Sequence, residues 1–176
     1  ELVLLDYLSN SDFYRILEFG CGFGRHIKYL KEIPHLEVFG YDQSQSMVGD
    51  ISNWAKPSWI SKHIKVGAPG QPLPYPDNYF DAVFTTSVLI HIPPEDIEAT
   101  IKEISRVAKK QVIHQEPSSN FEVCSSAHNG CWNHNLVDIY KKLDLQCDIL
   151  KPAFKIQNFY RVTIEGISEY SPSNLF

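Results

Sequence analysis

The residues best placed to do chemistry lie between positions 16 and 26, where an apolar run leads into closely spaced glycines. The order Ile16-Leu17-Glu18-Phe19-Gly20-Cys21-Gly22-Phe23-Gly24-Arg25-His26 predicts a strand, a tight turn and then a helix. Glycine lets the backbone approach a ligand closely, and free N–H groups where a helix begins favour an anionic group. Asp42 ends the next predicted strand, 22 residues after Gly20, where a carboxylate can accept both ribose hydroxyls of a nucleoside cofactor.

The spacing of these glycines distinguishes two kinds of nucleotide site. Dinucleotide sites use G-x-G-x-x-G, in which the third glycine lets the helix pack tightly beside a pyrophosphate. Here the third glycine, Gly24, comes one residue early, and Arg25 occupies the dinucleotide position. The spacing therefore disfavours an NAD(P)-dependent oxidoreductase, which is kept as an alternative.

The pattern Glu18-x-Gly20-x-Gly22-x-Gly24 resembles the first motif of the class I S-adenosylmethionine-dependent methyltransferases. The resemblance extends along nearly the whole chain: residues 40–44 are similar to the second motif, 73–81 to the loop before the fourth strand, and 85–93 to the segment beneath the methyl group. It implies S-adenosyl-L-methionine as the cofactor and S-adenosyl-L-homocysteine as the product. The implied cofactor contacts are Glu18, Gly20, Cys21, Gly22 and Gly24 around the amino-acid end, Asp42 at the ribose, Gln43, Ala68 and Pro69 near the adenine, and Thr86 and Ser87 beneath the methionine end.

Three polar residues are candidates for catalysis because the ligand cavity of this topology forms at the carboxyl ends of the strands. His91 follows the fourth predicted strand, and His114 and Glu116 end the fifth. A hydroxyl acceptor must lose a proton, so we expect His91 or His114 to act as a base or to orient the acceptor, with Glu116 paired to one of them. The alternative is that all three are satisfied polar groups near the mouth of the cavity.

The polar stretch after the fifth strand contains the pattern Cys124-x-x-x-His128-x-x-Cys131-x-x-His134. Cysteine and histidine are the usual zinc ligands, but this spacing is tighter than that of structural sites, so we predict no metal. In the methyltransferases that the chain resembles, the segment ahead of the next helix often contacts the acceptor. We therefore expect Asn129, Trp132 and His134 to bind substrate, the alternative being a plain surface loop.

Apolar periodicity predicts alternating strands and helices, the order of a parallel sheet covered on both faces. Strands are predicted at 14–19, 36–41, 64–67, 80–85, 110–115, 146–150 and 159–164. Helices are predicted at 1–9, 24–33, 44–55, from Pro93 to Ala108, and at 135–143, with loops at 68–78 and 117–133. The last two strands are close enough to pair as an antiparallel hairpin. The expected fold is α/β, a three-layer α-β-α Rossmann-like methyltransferase domain over residues 1–176, with a seven-stranded, mostly parallel sheet and a truncated first helix.

The composition of the chain limits the kinds of partner that it is expected to bind. The 176 residues are 43% apolar and 21% charged with a net charge of −5, which fits one soluble domain and argues against a nucleic-acid partner. No stretch approaches the roughly 20 apolar residues of a membrane span, so no membrane partner is predicted. Four scattered cysteines favour the cytoplasm over an oxidising compartment.

These observations together predict methyl transfer from S-adenosyl-L-methionine to an oxygen or nitrogen of a small-molecule acceptor. Residues 88–93 look most like enzymes of sugar and secondary-metabolite pathways. A non-catalytic module that binds the cofactor is a second alternative, because residues 67–71 lack the carboxylate that many relatives place near the adenine.

Overall fold

A computed structural model describes residues 2–67, 71–117, 130–150 and 157–164. Seven strands form one sheet in the order β3-β2-β1-β4-β5-β7-β6. They are β1 (Arg15–Phe19), β2 (Glu37–Asp42), β3 (Ile64–Val66), β4 (Phe80–Thr86), β5 (Ala108–Pro117), β6 (Gln146–Leu150) and β7 (Gln157–Thr163). The pairs among β1 to β5 are parallel, whereas β7 runs antiparallel to both β5 and β6. The predicted mostly parallel sheet with a C-terminal antiparallel hairpin is confirmed.

Helices cover both faces of this sheet. They are α1 (Leu2–Ser9), α2 (Ile27–Leu30), α3 (Gln45–Gly49), α4 (Pro57–His63), α5 (Ile97–Val107) and α6 (Leu136–Lys142). Successive strand residues point to opposite faces, so Ile16 packs with α1 and α2 while Leu17 packs with α5 and α6. Two apolar clusters, one on each face, thus hold the three predicted layers together.

Helix boundaries differ from the predictions where glycine or proline sets the backbone. The helix predicted at 24–33 is only four residues long, because Gly24 has a φ of +75° and residues 22–26 form turns. The helix predicted at 44–55 ends at Gly49 and continues as a 3-10 helix over Asp50–Asn53. Helix α4 was not predicted, although Pro57 at its first position and basic residues in its last turn are typical helix signals.

The order of the strands reverses between β1 and β4, which are neighbours in the sheet but lie far apart in the chain. In open α/β sheets the crevice outside the carboxyl ends of the strands at such a point is where ligands bind. The glycine turn follows β1 and residues 87–92 follow β4, so both segments reach this crevice. Within the described ranges, no helix is long and apolar enough to cross a membrane.

Candidate functional site

A cavity of about 770 Å³ occupies this crevice. One side is formed by the glycine turn and the end of β2, and the other by the segment after β4 and one side of α5. Its volume lies within the range of small-molecule sites, and a buried carboxylate, hydroxyls and aromatic rings share its wall. Eight of the predicted cofactor contacts line it: Glu18, Gly20, Cys21, Gly22, Asp42, Gln43, Thr86 and Ser87.

The glycine turn is required by both conformation and space. Gly20, Gly22 and Gly24 all have positive φ, at +79°, +51° and +75°. A Cβ atom on Gly20 would lie 2.3 Å from a methyl carbon of Val88 in the segment after β4. Gly24 is not among the cavity-lining residues: a Cβ there would meet the Trp54 ring at 2.6 Å, so this glycine serves packing behind the turn.

Asp42 connects the glycine turn to the start of α3. Its Oδ2 accepts the Gly22 amide at 2.7 Å, and its Oδ1 accepts the Ser44 amide at 2.8 Å. The amides of Gly20 and Cys21 donate to the Tyr41 carbonyl at 2.7 and 3.1 Å. The amides of Gly20, Cys21 and Gly22 are therefore all paired within the protein. A carboxylate has about four acceptor sites, so Asp42 keeps capacity for ribose hydroxyls.

Two polar atoms of the cavity wall are buried and have no hydrogen-bond partner among the described residues: Glu18 Oε2 and Thr86 Oγ1. The other carboxylate oxygen of Glu18, Oε1, lies 2.6 Å from His26 Nδ1, and burial raises the pKa of this carboxyl. Unpaired buried polar groups are costly and rare. A carboxyl and a hydroxyl that both need partners fit a ligand with an ammonium or carboxylate group, such as the amino-acid end of a nucleoside cofactor.

The segment after β4 carries His91, the one predicted catalytic residue that lines the cavity. Its Nδ1 lies 3.3 Å from the Gly130 carbonyl oxygen and 3.7 Å from Cys131 Sγ. The Trp132 amide donates to the Ile90 carbonyl at 2.7 Å, and His134 Nε2 donates to the Ile92 carbonyl at 2.9 Å. Residues 130–134 therefore pack along this segment, although Trp132 and His134 do not line the cavity. The predicted contacts Ala68, Pro69 and Asn129 lie outside the described residues.

His114 and Glu116 are buried behind the cavity and do not line it. They are not paired directly in the structure: each bonds to the Thr85 hydroxyl, at 2.8 Å in both cases. Burial lowers the pKa of His114 to about 3 and raises the pKa of Glu116 to about 7. The expected pairing of Glu116 with a histidine is thus corrected to a contact through Thr85.

The sequence predictions missed the wall formed by α5 and by residues 71–73. Asp96, just before α5, and Ala99, Thr100 and Glu103 within it line the cavity opposite the glycine turn. Glu103 accepts the Leu73 amide at 2.8 Å, while Arg106 donates to the Leu73 and Tyr75 carbonyls at 3.1 and 2.9 Å. Polar residues three apart on α5, Glu103 and Arg106, were the available signal, but they read equally well as an exposed ion pair.

Metal-ligating residues do not cluster in the part of the chain that the structure describes. Cys21, Cys131 and Cys147 are free thiols there. Cys124 and His128, which share the cysteine and histidine pattern with Cys131, lie outside that part.

Comparison with known proteins identifies the family. The family model described as "Methyltransferase domain" matches residues 17–114, more than half of the chain. An uncharacterized methyltransferase of Schizosaccharomyces pombe is 33% identical over 113 residues, covering 60% of this chain and 39% of that protein. A sterol 24-C-methyltransferase of Gibberella zeae is 28% identical over 133 residues, covering 75% of this chain and 30% of that protein. The chain therefore spans well under half the length of these relatives.

Solved structures agree on the fold. The magnesium protoporphyrin IX methyltransferase of Synechocystis, solved with bound S-adenosylmethionine, has a TM-score of 0.66 at 18% identity and covers 92% of this chain and 76% of its own. A Pyrococcus horikoshii protein has a TM-score of 0.73 at 18% identity, and the match covers 92% of this chain and 86% of that protein. The glycine turn, Asp42 and the two unpaired buried atoms all fall inside or beside the matched segment. The chain belongs to the methyltransferase-domain family.

Proposed function

We propose that the chain transfers the methyl group of S-adenosylmethionine to an oxygen or nitrogen of a small-molecule acceptor, such as a sugar or a secondary metabolite. The observation that carries this proposal is the exposed His91 imidazole at the cavity wall, beside residues 130–134. When bound, the cofactor would supply a methyl group on a sulfonium: the methyl carbon would bond to the acceptor nucleophile in line as its bond to sulfur breaks, and S-adenosylhomocysteine would leave as a thioether. Most of the acceleration then comes from holding the acceptor close and excluding water.

Each group of wall residues has a distinct part in this proposal. Glu18 and Thr86 offer their unpaired oxygens to the amino-acid end of the cofactor, beside Gly20, Cys21 and Gly22. Asp42 accepts from the ribose hydroxyls. Gln43 lies on the same wall for the adenine, where Ala68 and Pro69 are proposed to add backbone contacts. Ser87 lines the cavity beneath the methionine end.

His91 is the proposed base for a hydroxyl acceptor. Because its Nδ1 lies 3.3 Å from the Gly130 carbonyl oxygen, which can only accept, we assign the ring proton of the basic form to Nδ1. Nε2 is then the nitrogen with a free lone pair, and it can take the acceptor proton. His114 and Glu116 are too deeply buried to reach an acceptor, so we propose that they support this wall from behind.

The acceptor is proposed to lie between His91 and residues 129–134, contacting Asn129, Trp132 and His134. A net charge of −5 argues against a polyanionic acceptor such as DNA or RNA. The free thiols of the described part fit the predicted cytoplasmic location. We also propose that residues 1–176 belong to a single domain.

Methylation of carbon is a second candidate. Several relatives are named sterol 24-C-methyltransferases, and one of them matches 75% of this chain. A carbon acceptor would be an electron-rich double bond, for which aromatic side chains stabilise positive charge. Phe19 and Tyr41 stack at 5.6 Å on the cavity wall and could supply this environment.

Transfer of a labelled methyl group across a panel of sugars, amines, phenols and sterols tests the proposal. The label position in the product, read by NMR, distinguishes oxygen, nitrogen and carbon. For a hydroxyl acceptor, His91→Asn should lower turnover about 10²- to 10⁴-fold while leaving S-adenosylhomocysteine affinity unchanged. Label on carbon would overturn the proposal in favour of the second candidate. Cofactor binding without transfer to any class would favour the non-catalytic alternative.

A further inference from the structure

A line of buried polar side chains runs beneath the cavity wall between the sheet and the α5 and α6 layer. The Tyr140 hydroxyl lies 2.7 Å from His114 Nε2, and His114 Nδ1 lies 2.8 Å from Thr85 Oγ1. Thr85 Oγ1 in turn lies 2.8 Å from Glu116 Oε1. The exposed fraction of each of these four side chains is 3% or less. Such a chain requires an arrangement of protons that satisfies every member.

The partners fix the direction of each hydrogen bond. The Thr85 hydroxyl donates to Glu116, so it accepts from His114, whose Nδ1 must carry the proton. Burial lowers the pKa of His114, so the ring is neutral and its Nε2 accepts from the Tyr140 hydroxyl. All donors therefore point from α6 towards Glu116, and the carboxyl is the end of the line.

Glu116 also holds the segment after β4. Its Oε1 accepts the Val88 amide at 3.1 Å, and the amides of Leu89 and Ile90 lower its pKa as well. Ser87, just before this segment, has a φ of +53°, a conformation that costs energy in residues other than glycine. Val88 and His91 line the cavity, and the Val88 methyl groups pack over Gly20. A contact that fixes residues 88–91 therefore fixes one wall of the cofactor cavity.

We propose that Glu116 is a positioning residue whose carboxylate, oriented through Thr85, His114 and Tyr140, holds residues 88–91 in the shape that binds the cofactor. The proposal depends on cofactor binding alone and not on which acceptor is methylated. Glu116 touches neither the cavity nor, on this geometry, the reacting atoms.

The charge of Glu116 strengthens this hold. A carboxylate accepts hydrogen bonds about twice as strongly as a neutral acceptor. Among the titratable groups on the elements near it, His114 on the same strand is reached through Thr85, and Tyr140 on α6 is reached through His114. Tyr160 on β7 interacts with it electrostatically, and His91 ends the held segment. Its pKa of about 7 results mainly from burial, so the charge forms near neutral pH. Cofactor affinity should therefore rise as pH increases through this range.

Glu116→Gln tests the proposal because it preserves shape and removes the charge. Isothermal titration with S-adenosylhomocysteine should give an affinity about tenfold lower than wild type at pH 8, and a similar affinity at pH 6. Comparing the two proteins at each pH isolates Glu116 from Glu18, which also titrates in the cavity wall. Amide hydrogen exchange at residues 88–91 should be faster in the variant, with the rest of the sheet unchanged.

Tyr7→Phe is the matched control, since it removes a buried 2.6 Å hydrogen bond to Gln111 at the other end of the same strand. It should leave both the affinity and the exchange of residues 88–91 as in wild type. If Glu116→Gln does not fold, Thr85→Val decides, because it removes only the bridging hydroxyl and should weaken binding by about threefold or more. Equal affinities of Glu116→Gln and wild type at every pH, or faster exchange throughout the sheet, would overturn the proposal.

Discussion

Glu18 shows how a single buried carboxyl can serve a ligand at a cost to the empty protein. Among the described residues, only one of its oxygens has a partner, the His26 ring at 2.6 Å, and burial raises the pKa of the carboxyl. Thr86 has the same property in weaker form, a buried hydroxyl without a described partner. Burying unpaired polar atoms destabilises the fold, and a ligand that supplies the missing partners recovers that energy on binding.

Glu18→Gln should therefore separate stability from affinity. We expect S-adenosylhomocysteine affinity to fall roughly 10- to 100-fold, since the amide loses the charge that attracts an ammonium. The free energy of unfolding of the free protein should be unchanged or higher, because glutamine keeps an oxygen that can accept from the His26 ring and buries no charge. Titration calorimetry and urea unfolding measure the two effects.

Glu37→Gln is the control for this experiment, because Glu37 bonds Arg15 at 3.2 Å and Lys62 at 2.9 Å away from the cavity. It should leave cofactor affinity unchanged. Equal loss of affinity in both variants would show that the effect is general and not due to Glu18.

Part of this site could be predicted from residue types alone. The glycines were predictable because a turn at positive φ demands this residue type, and the place of Asp42 at the crevice was predictable from its position at the end of β2. The burial of His114 and Glu116 was not predictable. The sequence places both residues at the end of β5 but does not show which element packs over them. Helix α6 supplies that cover through Tyr140, 24 residues beyond Glu116.

The glycine turn couples two elements of the site, because it packs directly against the segment after β4. Gly20→Ala would place a Cβ 2.3 Å from Val88 in a backbone with φ of +79°. The strained conformation alone costs about 1–2 kcal/mol, and relief of the clash must shift Val88. We expect a lower unfolding free energy by about 2 kcal/mol or more and a clear loss of S-adenosylhomocysteine affinity.

Gly49→Ala is the matched control for Gly20→Ala. Gly49 has helical φ at the end of α3, and a Cβ there would meet no described atom within 4 Å. This variant should gain about 0.4–1 kcal/mol of stability, because alanine restricts the unfolded chain. Unaltered affinity in Gly20→Ala would show that the wall tolerates displacement of Val88.

Elements were predictable where one periodic pattern acts alone. Helix α5 was predicted because Ile97, Ile101, Ile104 and Ala108 recur at helical spacing. The three isoleucines are buried in the structure, and the helix ends at Val107. Helix α2 is shorter than the predicted 24–33. The apolar spacing of Ile27, Leu30 and Ile33 suggested a longer helix, but the positive φ of Gly24 prevents the helix from starting at that residue. Strand β5 was underestimated, because pairing with both β4 and β7 extends it beyond its apolar centre to Ala108 and Pro117.

Over the whole molecule, the strand order could not be derived from periodicity, which predicts strands but not their neighbours. The resemblance to a known family supplied the seven-stranded arrangement, and the pairing of β1 with β4 then brought distant segments to one crevice. The α5 wall escaped prediction for the same reason. The residues of α5 that line the cavity alternate with core residues along the helix. That side of α5 borders a cavity only because residues 71–73 pack beside it, and the sequence does not show this contact.

The two buried titratable groups on β5 give the whole molecule a distinctive dependence of stability on pH. The pKa of His114 falls from 6.5 to about 3 on folding, so its contribution is lost as pH falls below 6.5. The pKa of Glu116 rises from 4.5 to about 7, so its contribution is present below 4.5 and is lost as pH rises towards 7. Between about pH 4.5 and 6.5 the two slopes have opposite sign and nearly cancel.

Removing either His114 or Glu116 should reveal the dependence of the unfolding free energy on pH that the other residue causes. In Glu116→Gln, the unfolding free energy should rise with pH relative to wild type by about 1.4 kcal/mol per unit, or about 3 kcal/mol between pH 4.5 and 6.5. In His114→Gln it should fall with pH over the same range, continuing to about pH 7. Urea unfolding at half-unit steps of pH measures both. Burial alone shifts the pKa of His114, so the pH dependence that His114 causes should remain in Glu116→Gln. Parallel curves of unfolding free energy against pH for wild type and both variants would show that neither pKa shifts on folding as described.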